Sequence, residues 1–137
     1  MADRLTPEQR SRLMARIRGK DTAPEHRARR AAHALGLRFR LHRRDLPGTP
    51  DMVLPKRRVA LFVHGCFWHQ HAGCRKARRP QTRPGYWAAK FKANAERDAR
   101  TSAALAAAGW RVVVLWECET EDADGLRRLI GERVGAQ

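Results

Sequence analysis

The chain has 137 residues, which suits one domain and is long enough to bury a core without disulfides. Hydrophobic residues make up 42% and charged residues 31%, a globular rather than a disordered composition. Lys and Arg number 29 against 14 acidic residues, so the net charge is +15. Such a charge on a small domain indicates a polyanionic partner, with nucleic acid as the first candidate and an anionic membrane as the second.

The positive charge is concentrated in the first two thirds of the chain. No acidic residue lies between Asp51 and Glu96, a stretch with ten Lys and Arg, whereas residues 96–137 hold six basic and eight acidic residues. This asymmetry predicts a nucleic-acid-binding face rather than a solvated surface of mixed charge.

Membrane association is disfavoured by the apolar pattern. A membrane-binding amphipathic helix needs a broader apolar face than Leu13, Met14 and Ile17 provide. No apolar run approaches the roughly 20 residues of a membrane span, and the first ten residues lack the apolar stretch of a signal peptide. We therefore expect a cytoplasmic, nucleoid-associated protein.

Capping patterns predict two helices at the start of the chain. Thr6-Pro7-Glu8-Gln9 opens a helix that runs to about Arg18 and stops at Gly19. Thr22-Ala23-Pro24-Glu25 repeats this pattern, and the second helix is expected to end at Gly36.

The next segment predicts three strands. Residues 37–42 alternate Leu and Phe with Arg and His, which is typical of a half-buried strand. After the turn at residues 46–50, Asp51 opens a second strand through Leu54, and a third is expected over residues 59–63. A hairpin of this size would bring Asp51 near residues 63 and 64.

The remaining chain predicts an irregular segment, two helices and one more strand. Residues 64–85 look irregular, a long helix is expected from Tyr86 to Ala108, and a last one from about Asp124 to Val134. The apolar run from Arg111 to Trp116 predicts a central buried strand. This order predicts a single α/β domain over residues 1–137, with a mixed central sheet flanked by helices.

Cysteine and histidine cluster in the irregular segment. Two of the three cysteines and three histidines lie within residues 64–74. Their density predicts a closed, structural zinc site rather than free thiols with locally paired histidines, which is the alternative. The predicted ligands are Cys66, His71, Cys74 and Cys118. His64 and His69 then remain available as general acid, general base or phosphate ligand.

Asp51 is conspicuous because carboxylates are scarce on the predicted basic face. An Asp beside a phosphate is an obvious Mg²⁺ ligand, since hard cations prefer oxygen and share the phosphate as a ligand. The alternative is that Asp51 caps the turn after Pro50, which is a common role for aspartate.

Aromatic residues beside the predicted zinc ligands suggest a wedge for DNA. Phe67 and Trp68 lie between Cys66 and His69, and exposed apolar side chains beside a basic face can insert between base steps. Trp87 is a third candidate, although core packing is the simpler interpretation of that residue.

These residues together resemble the very short patch repair (Vsr) DNA mismatch endonucleases. The resemblance runs from Ser11 to Cys118 and rests above all on Phe62-Val-His-Gly-Cys-Phe-Trp-His69. Further matches are Asp21-Thr-Ala-Pro-Glu25, Tyr86-Trp87, Glu96-Arg-Asp98 and Trp116-Glu-Cys118. The resemblance implies a restriction-endonuclease-like core and a strand-specific nick 5′ of the T in T·G mismatches, which arise when 5-methylcytosine deaminates.

The resemblance also implies residue roles. Catalytic Mg²⁺ would be bound by Asp51 and the backbone carbonyl of Val63, and Zn²⁺ by the four ligands already named. His64 and Glu25 would act around the magnesium through water, and His69 with Asp98 would prepare the attacking water. The residues inserted into DNA would be Phe67, Trp68, Trp87, Met14 and Ile17.

Two other functions fit parts of this pattern. A non-catalytic zinc DNA-binding module would not need Asp51 or two spare histidines. A restriction-type endonuclease that cuts both strands would usually be a symmetric dimer. We therefore expect a monomer that acts on double-stranded DNA with a T·G mismatch, with mismatch-repair proteins as candidate partners and no membrane.

Overall fold

The computed structural model describes residues 21–135. The helix predicted over residues 6–19, with Met14 and Ile17, lies outside them. The elements are α1 (Ala23–Ala34), β1 (Met52–Leu54), β2 (Val59–His64), α2 (Pro84–Ala107), β3 (Arg111–Trp116) and α3 (Ala123–Val134). Short 3-10 turns occupy Pro55–Arg57, Arg75–Ala77 and Glu117–Thr120.

The described helices begin and end close to where their capping residues predict. Thr22 caps α1 by accepting a hydrogen bond from the Glu25 amide, and Gly36 follows the helix in the left-handed conformation (φ +75°). Gly109 has φ +88° just past the end of α2. Asp122 caps α3, since its carboxylate accepts from the Gly125 amide.

The three strands form one mixed sheet in the order β1-β2-β3. β1 runs antiparallel to β2 with Met52 opposite Leu61, and β3 runs parallel to β2 with Trp116 opposite His64. The prediction that β3 is the central strand is therefore wrong for this sheet, in which β2 is central. The apolar run of β3 has another cause: Val113 and Val112 pack against cores on opposite faces.

The strand predicted over residues 37–42 is reduced to a single bridge. The amide of Arg40 donates to the Val53 carbonyl at 2.8 Å, and the amide of Val53 donates back at 2.9 Å. The next pairs would use Pro55, which has no N–H, and His42, whose backbone is left-handed (φ +60°), so the ladder does not extend. The predicted alternation of burial persists over these residues.

The sheet lies between two helical layers. One core joins α1 and α3 to the sheet through Ala28, Ala31, Ala32, Met52, Leu54, Val59, Leu61, Val113, Leu115, Leu126, Ile130 and Val134. The other core contains Val53, Ala60, Leu105 and Trp110 and joins α2 to the opposite face. The described chain is thus a small α/β structure with a three-stranded mixed sheet and three helices. Among residues 21–135, no helix is long and apolar enough to cross a membrane.

Candidate active site and metal centre

The β1–β2 hairpin holds Asp51 against the end of β2. Oδ2 of Asp51 accepts a hydrogen bond of 2.7 Å from the Val63 amide. This contact follows from the antiparallel register, because Asp51 precedes Met52 and Met52 lies opposite Leu61. The predicted proximity of Asp51 to residue 63 is confirmed, so the carboxylate is fixed beside the backbone of β2.

Two histidines and an aspartate meet where β2 ends. The rings of His64 and His69 stack with centroids 3.8 Å apart and planes 4° apart. Nδ1 of His69 lies 2.6 Å from Oδ2 of Asp98 on α2. Because an ionised carboxylate only accepts, Nδ1 carries the proton in this hydrogen bond, and Nε2 of a neutral ring keeps its lone pair.

Burial makes His64 a neutral imidazole at neutral pH. Removal from water, followed by the neighbouring His69, lowers the pKa of His64 from 6.5 to about 4, although Asp98 opposes this effect. A neutral ring can donate or accept a hydrogen bond without adding a positive charge to the site.

Glu25 is buried at the start of α1, with 7% of its surface exposed. Its Oε1 accepts from the Asp21 amide at 3.1 Å and lies 3.4 Å from the Arg29 guanidinium. The Thr22 hydroxyl donates to Oε2 at 3.2 Å. These contacts fix the carboxylate at the helix start, where it also borders the groove described next.

One groove of about 1020 Å³ contains all the predicted catalytic positions. It is lined by Glu25, Asp51, Val63, His64, His69 and Asp98. Residues from α1, the hairpin, the loop after β2 and α2 thus converge on one opening. Carboxylates beside imidazoles in an open groove can bind a hard divalent cation and transfer protons.

Four cysteine and histidine side chains form a second cluster. The ligand atoms of Cys66, His71, Cys74 and Cys118 lie within 4.8 Å of one another. Nδ1 of His71 is 3.7 Å from Sγ of Cys66 and 3.5 Å from Sγ of Cys118. Tetrahedral zinc with ordinary bond lengths implies sulfur–nitrogen separations of about 3.6 Å, so this donor set fits such an ion.

The thiol chemistry of the cluster agrees with that fit. Burial raises the pKa of the Cys66 thiol to about 12, so a cation is needed to stabilise the thiolate there. His71 also stacks on Trp116 with centroids 4.1 Å apart, which orients its ring. The cluster can therefore hold a metal ion.

The predicted wedge residues form an aromatic wall. Phe67 meets Trp68, Trp87 and Phe91 edge to face, with centroids 5.0, 5.3 and 5.2 Å away. Phe67, Trp68 and Trp87 are half-buried and line the same groove, whereas Phe91 is buried beneath them. Trp87 thus packs against other aromatics, as its simpler interpretation predicts, and also faces the groove.

Sequence reasoning missed two polar residues that join distant elements. Oε1 of Glu117 accepts from the Cys66 amide at 3.3 Å, and Nδ2 of Asn94 donates to the Trp68 carbonyl at 2.9 Å. Asn94 is buried, a costly position for an amide without partners, so a polar residue on the inner side of α2 was the available signal. The signal for Glu117 was its position directly before the predicted ligand Cys118.

Comparison with known proteins identifies the chain. Residues 2–76 match the family described as DNA mismatch endonuclease Vsr. The chain is 57% identical over 126 residues to the type II nicking enzyme V.XorIIP of Xanthomonas oryzae pv. oryzae, covering 92% of each protein. It is 42% identical over 118 residues to the DNA mismatch endonuclease Vsr of Escherichia coli K12, covering 86% of this chain and 75% of that protein. A further relative is the type II nicking enzyme V.NmeAIP of Neisseria meningitidis, 36% identical with 96% of each covered.

The protein is therefore a DNA endonuclease. It belongs to the Vsr DNA mismatch endonuclease family, which confirms the resemblance stated from its motifs.

Proposed function

We propose that the protein is a Mg²⁺-dependent mismatch endonuclease that nicks one strand 5′ of the T in T·G mismatches left by 5-methylcytosine deamination. The observation that carries the proposal is one groove that contains Asp51, fixed to the backbone of β2, beside the His64–His69 pair and Asp98. The names of the relatives, nicking enzymes and a mismatch endonuclease, support a single-strand cut. We further propose a monomer whose single domain, residues 1–137, has a restriction-endonuclease-like core.

The catalytic metal site would use hard oxygen ligands. Asp51 and the backbone carbonyl of Val63 would hold Mg²⁺, and a DNA phosphate would complete its ligands. Bound Mg²⁺ would stabilise the charge that develops on the phosphate and favour ionisation of the attacking water. Because only the backbone of residue 63 is required, a valine side chain suits that position.

Proton transfer would fall to the histidines. Asp98 orients His69 so that its Nε2 can accept a proton from the attacking water. His64, kept neutral by burial, would bind solvent or phosphate oxygen beside it. Glu25 would act on the metal site through water, since its carboxylate is held at the edge of the groove.

The Cys/His cluster would serve as a structural zinc site. Cys66, His71, Cys74 and Cys118 would provide a closed set of three sulfurs and one nitrogen, which leaves no position for substrate. Zn²⁺ there would brace the loop that carries His69, Phe67 and Trp68.

The aromatic wall would read the lesion by insertion. A T·G wobble pair stacks less well than a Watson–Crick pair, so opening that step costs less of the few kcal/mol normally needed. Phe67, Trp68 and Trp87 would recover stacking energy there. Met14 and Ile17, outside the described residues, would contact the other groove of the DNA.

The test is nicking of a panel of short duplexes that differ only in one pair: T·G, T·A or C·G. We expect a single cut on the T strand of the T·G duplex with Mg²⁺ and none with EDTA. Cleavage of both strands, or of matched duplexes, would instead indicate a restriction-type enzyme. Tight DNA binding without any cleavage would indicate a zinc DNA-binding module.

A further inference from the structure

Among the described residues that line the groove, carboxylates outnumber permanently positive side chains, although DNA that binds there is itself negatively charged. Among the described residues, four carboxylates border the groove: those of Glu25, Asp51, Asp98 and Glu117. Among residues 21–135, only Lys76 and Arg97 contribute a permanent positive charge to that lining. A DNA strand adds one negative charge per phosphate, so binding in this groove requires cationic side chains as well as a metal ion.

Of these two cations, Lys76 already has a carboxylate partner. Its Nζ lies 3.1 Å from Oε2 of Glu121, and that contact raises the pKa of Lys76. Arg97 differs, because it forms no ion pair with any residue in the range 21–135. Arg97 is an exposed residue.

A buried amide holds the Arg97 side chain in place. Oδ1 of Asn94 accepts a hydrogen bond of 3.1 Å from NH1 of Arg97, while Nδ2 of Asn94 donates to the Trp68 carbonyl. Asn94 is 6% exposed, so its orientation is fixed by these two opposite contacts. Asn94 thus links Arg97, which lines the groove, to the backbone of Trp68 in the aromatic wall.

We infer that Arg97 binds a backbone phosphate of the DNA strand that enters the groove, next to the His69–Asp98 pair. A guanidinium has five N–H donors, and the Asn94 contact uses NH1, which leaves the others for a two-point contact with phosphate oxygens. Prior ordering by Asn94 reduces the side-chain entropy that such a contact loses. This inference rests on the proposed placement of the reaction in this groove, and it adds a substrate-binding residue to it.

The phosphate role predicts a loss that is independent of sequence, because phosphate contacts fix the position of DNA without reading bases. We compare Arg97→Ala, Arg97→Lys and a matched control, Arg100→Ala. Arg100 is an exposed arginine on the same helix that does not line the groove, so its replacement removes the same charge elsewhere. Affinity for T·G and T·A duplexes is measured over a series of salt concentrations without Mg²⁺, so that no cleavage occurs.

We expect Arg97→Ala to weaken binding of both duplexes by about tenfold and to reduce the slope of log affinity against log salt by about 0.9. Arg97→Lys should regain part of the affinity, because a lysine keeps the charge but not the planar fork. Arg100→Ala should change affinity by less than about twofold.

Two outcomes would overturn the inference. Equal effects of Arg97→Ala and Arg100→Ala would show that only the overall charge matters. A loss confined to the T·G duplex, with a lowered melting temperature, would show that Arg97 acts by supporting Asn94 and the aromatic wall. Nicking by the wild type with Mg²⁺ is measured in parallel, since its failure would refute the proposed function rather than the phosphate contact.

Discussion

Two clusters of titratable side chains share one loop but differ in their donor atoms. The groove cluster consists of Asp51, His64, His69 and Asp98, and the Cys/His cluster consists of Cys66, His71, Cys74 and Cys118. In chain order, His64, Cys66, His69 and His71 belong in turn to the groove cluster and to the Cys/His cluster. The groove cluster lies in the groove and offers carboxylate oxygen and imidazole nitrogen, whereas the Cys/His cluster offers three sulfurs and one imidazole. In the proposed function, this difference separates a catalytic ion, which needs an open position, from a structural ion, which does not.

The two clusters also depend on different parts of the fold. In the groove cluster, Asp51 is fixed by the hairpin and His69 by Asp98 on α2, so these positions are held by regular elements. In the Cys/His cluster, three of the four side chains lie in the irregular loop, and Cys118 connects two of them, Cys66 and His71, to the segment that follows β3. We therefore expect changes in the groove cluster to reduce the reaction rate, and changes in the Cys/His cluster to reduce stability.

The largest expected effect is that of removing Asp51. Asp51→Ala should lower the nicking rate by about 10³-fold, equivalent to about 4 kcal/mol, because a metal ligand and its charge are lost. Binding to a T·G duplex should stay within about tenfold of the wild type. Single-turnover nicking and a binding titration measure the two quantities.

Asp51→Asn is the control for damage to the hairpin. Its amide oxygen can still accept from the Val63 amide, so the melting temperature should be retained while nicking is lost. Nicking by Asp51→Asn at the wild-type rate would show that Asp51 has no catalytic role.

Changes in the Cys/His cluster should lower the melting temperature, whereas Asp51→Asn should lower the nicking rate alone. We expect one zinc ion per chain without DNA, and Cys118→Ala should lower the melting temperature by about 10 °C, as much as Cys66→Ala, because either change opens the site. His69→Ala, in the other cluster, should retain the zinc. Elemental analysis and thermal melting provide the data, and a zinc-free wild type or a neutral Cys118→Ala would refute the ligand set.

A smaller effect is expected at the aromatic wall, which lines the groove. Trp68→Ala should reduce affinity for a T·G duplex by about 10- to 100-fold with little change for a T·A duplex, because base–aromatic stacking contributes about 1–3 kcal/mol per base. Tyr86→Ala is a suitable control, since Tyr86 contacts Trp87 but does not line the groove. Equal losses on both duplexes, or a sharp fall in melting temperature, would assign Trp68 to the core.

Local patterns predicted the parts of the site that depend on short-range structure. The tight connection over residues 55–58 sets the hairpin register, and that register places Asp51 beside Val63. The spacing of cysteine and histidine likewise predicted the cluster around His71. These features follow from chain geometry within a few residues, apart from the contribution of Cys118.

Contacts between residues far apart in the chain could not be predicted from local patterns. The contacts of Asn94 with Trp68 and of Glu117 with Cys66 span 26 and 51 residues, so local patterns could mark Asn94 and Glu117 but could not indicate their partners. The prediction that β3 is the central strand was wrong, because an apolar run indicates that both faces of a strand are covered but does not indicate that both of its edges are paired.

The smallest expected effect is on stability and concerns Glu117, which lines the groove and also contacts the backbone of Cys66 in the Cys/His cluster. Its side chain lines the groove, its Oε1 accepts from the Cys66 amide, and Cys118 follows it directly. Glu117→Ala leaves that amide without this acceptor and should lower the free energy of unfolding by about 1 kcal/mol. Glu117→Gln keeps an oxygen acceptor and should restore most of this stability. Chemical denaturation of both variants measures the free energy of unfolding. If Glu117→Gln melts normally yet nicks more slowly than the wild type, the charge of Glu117 belongs to the groove chemistry; if both variants match the wild type, the two clusters are not joined through this carboxylate.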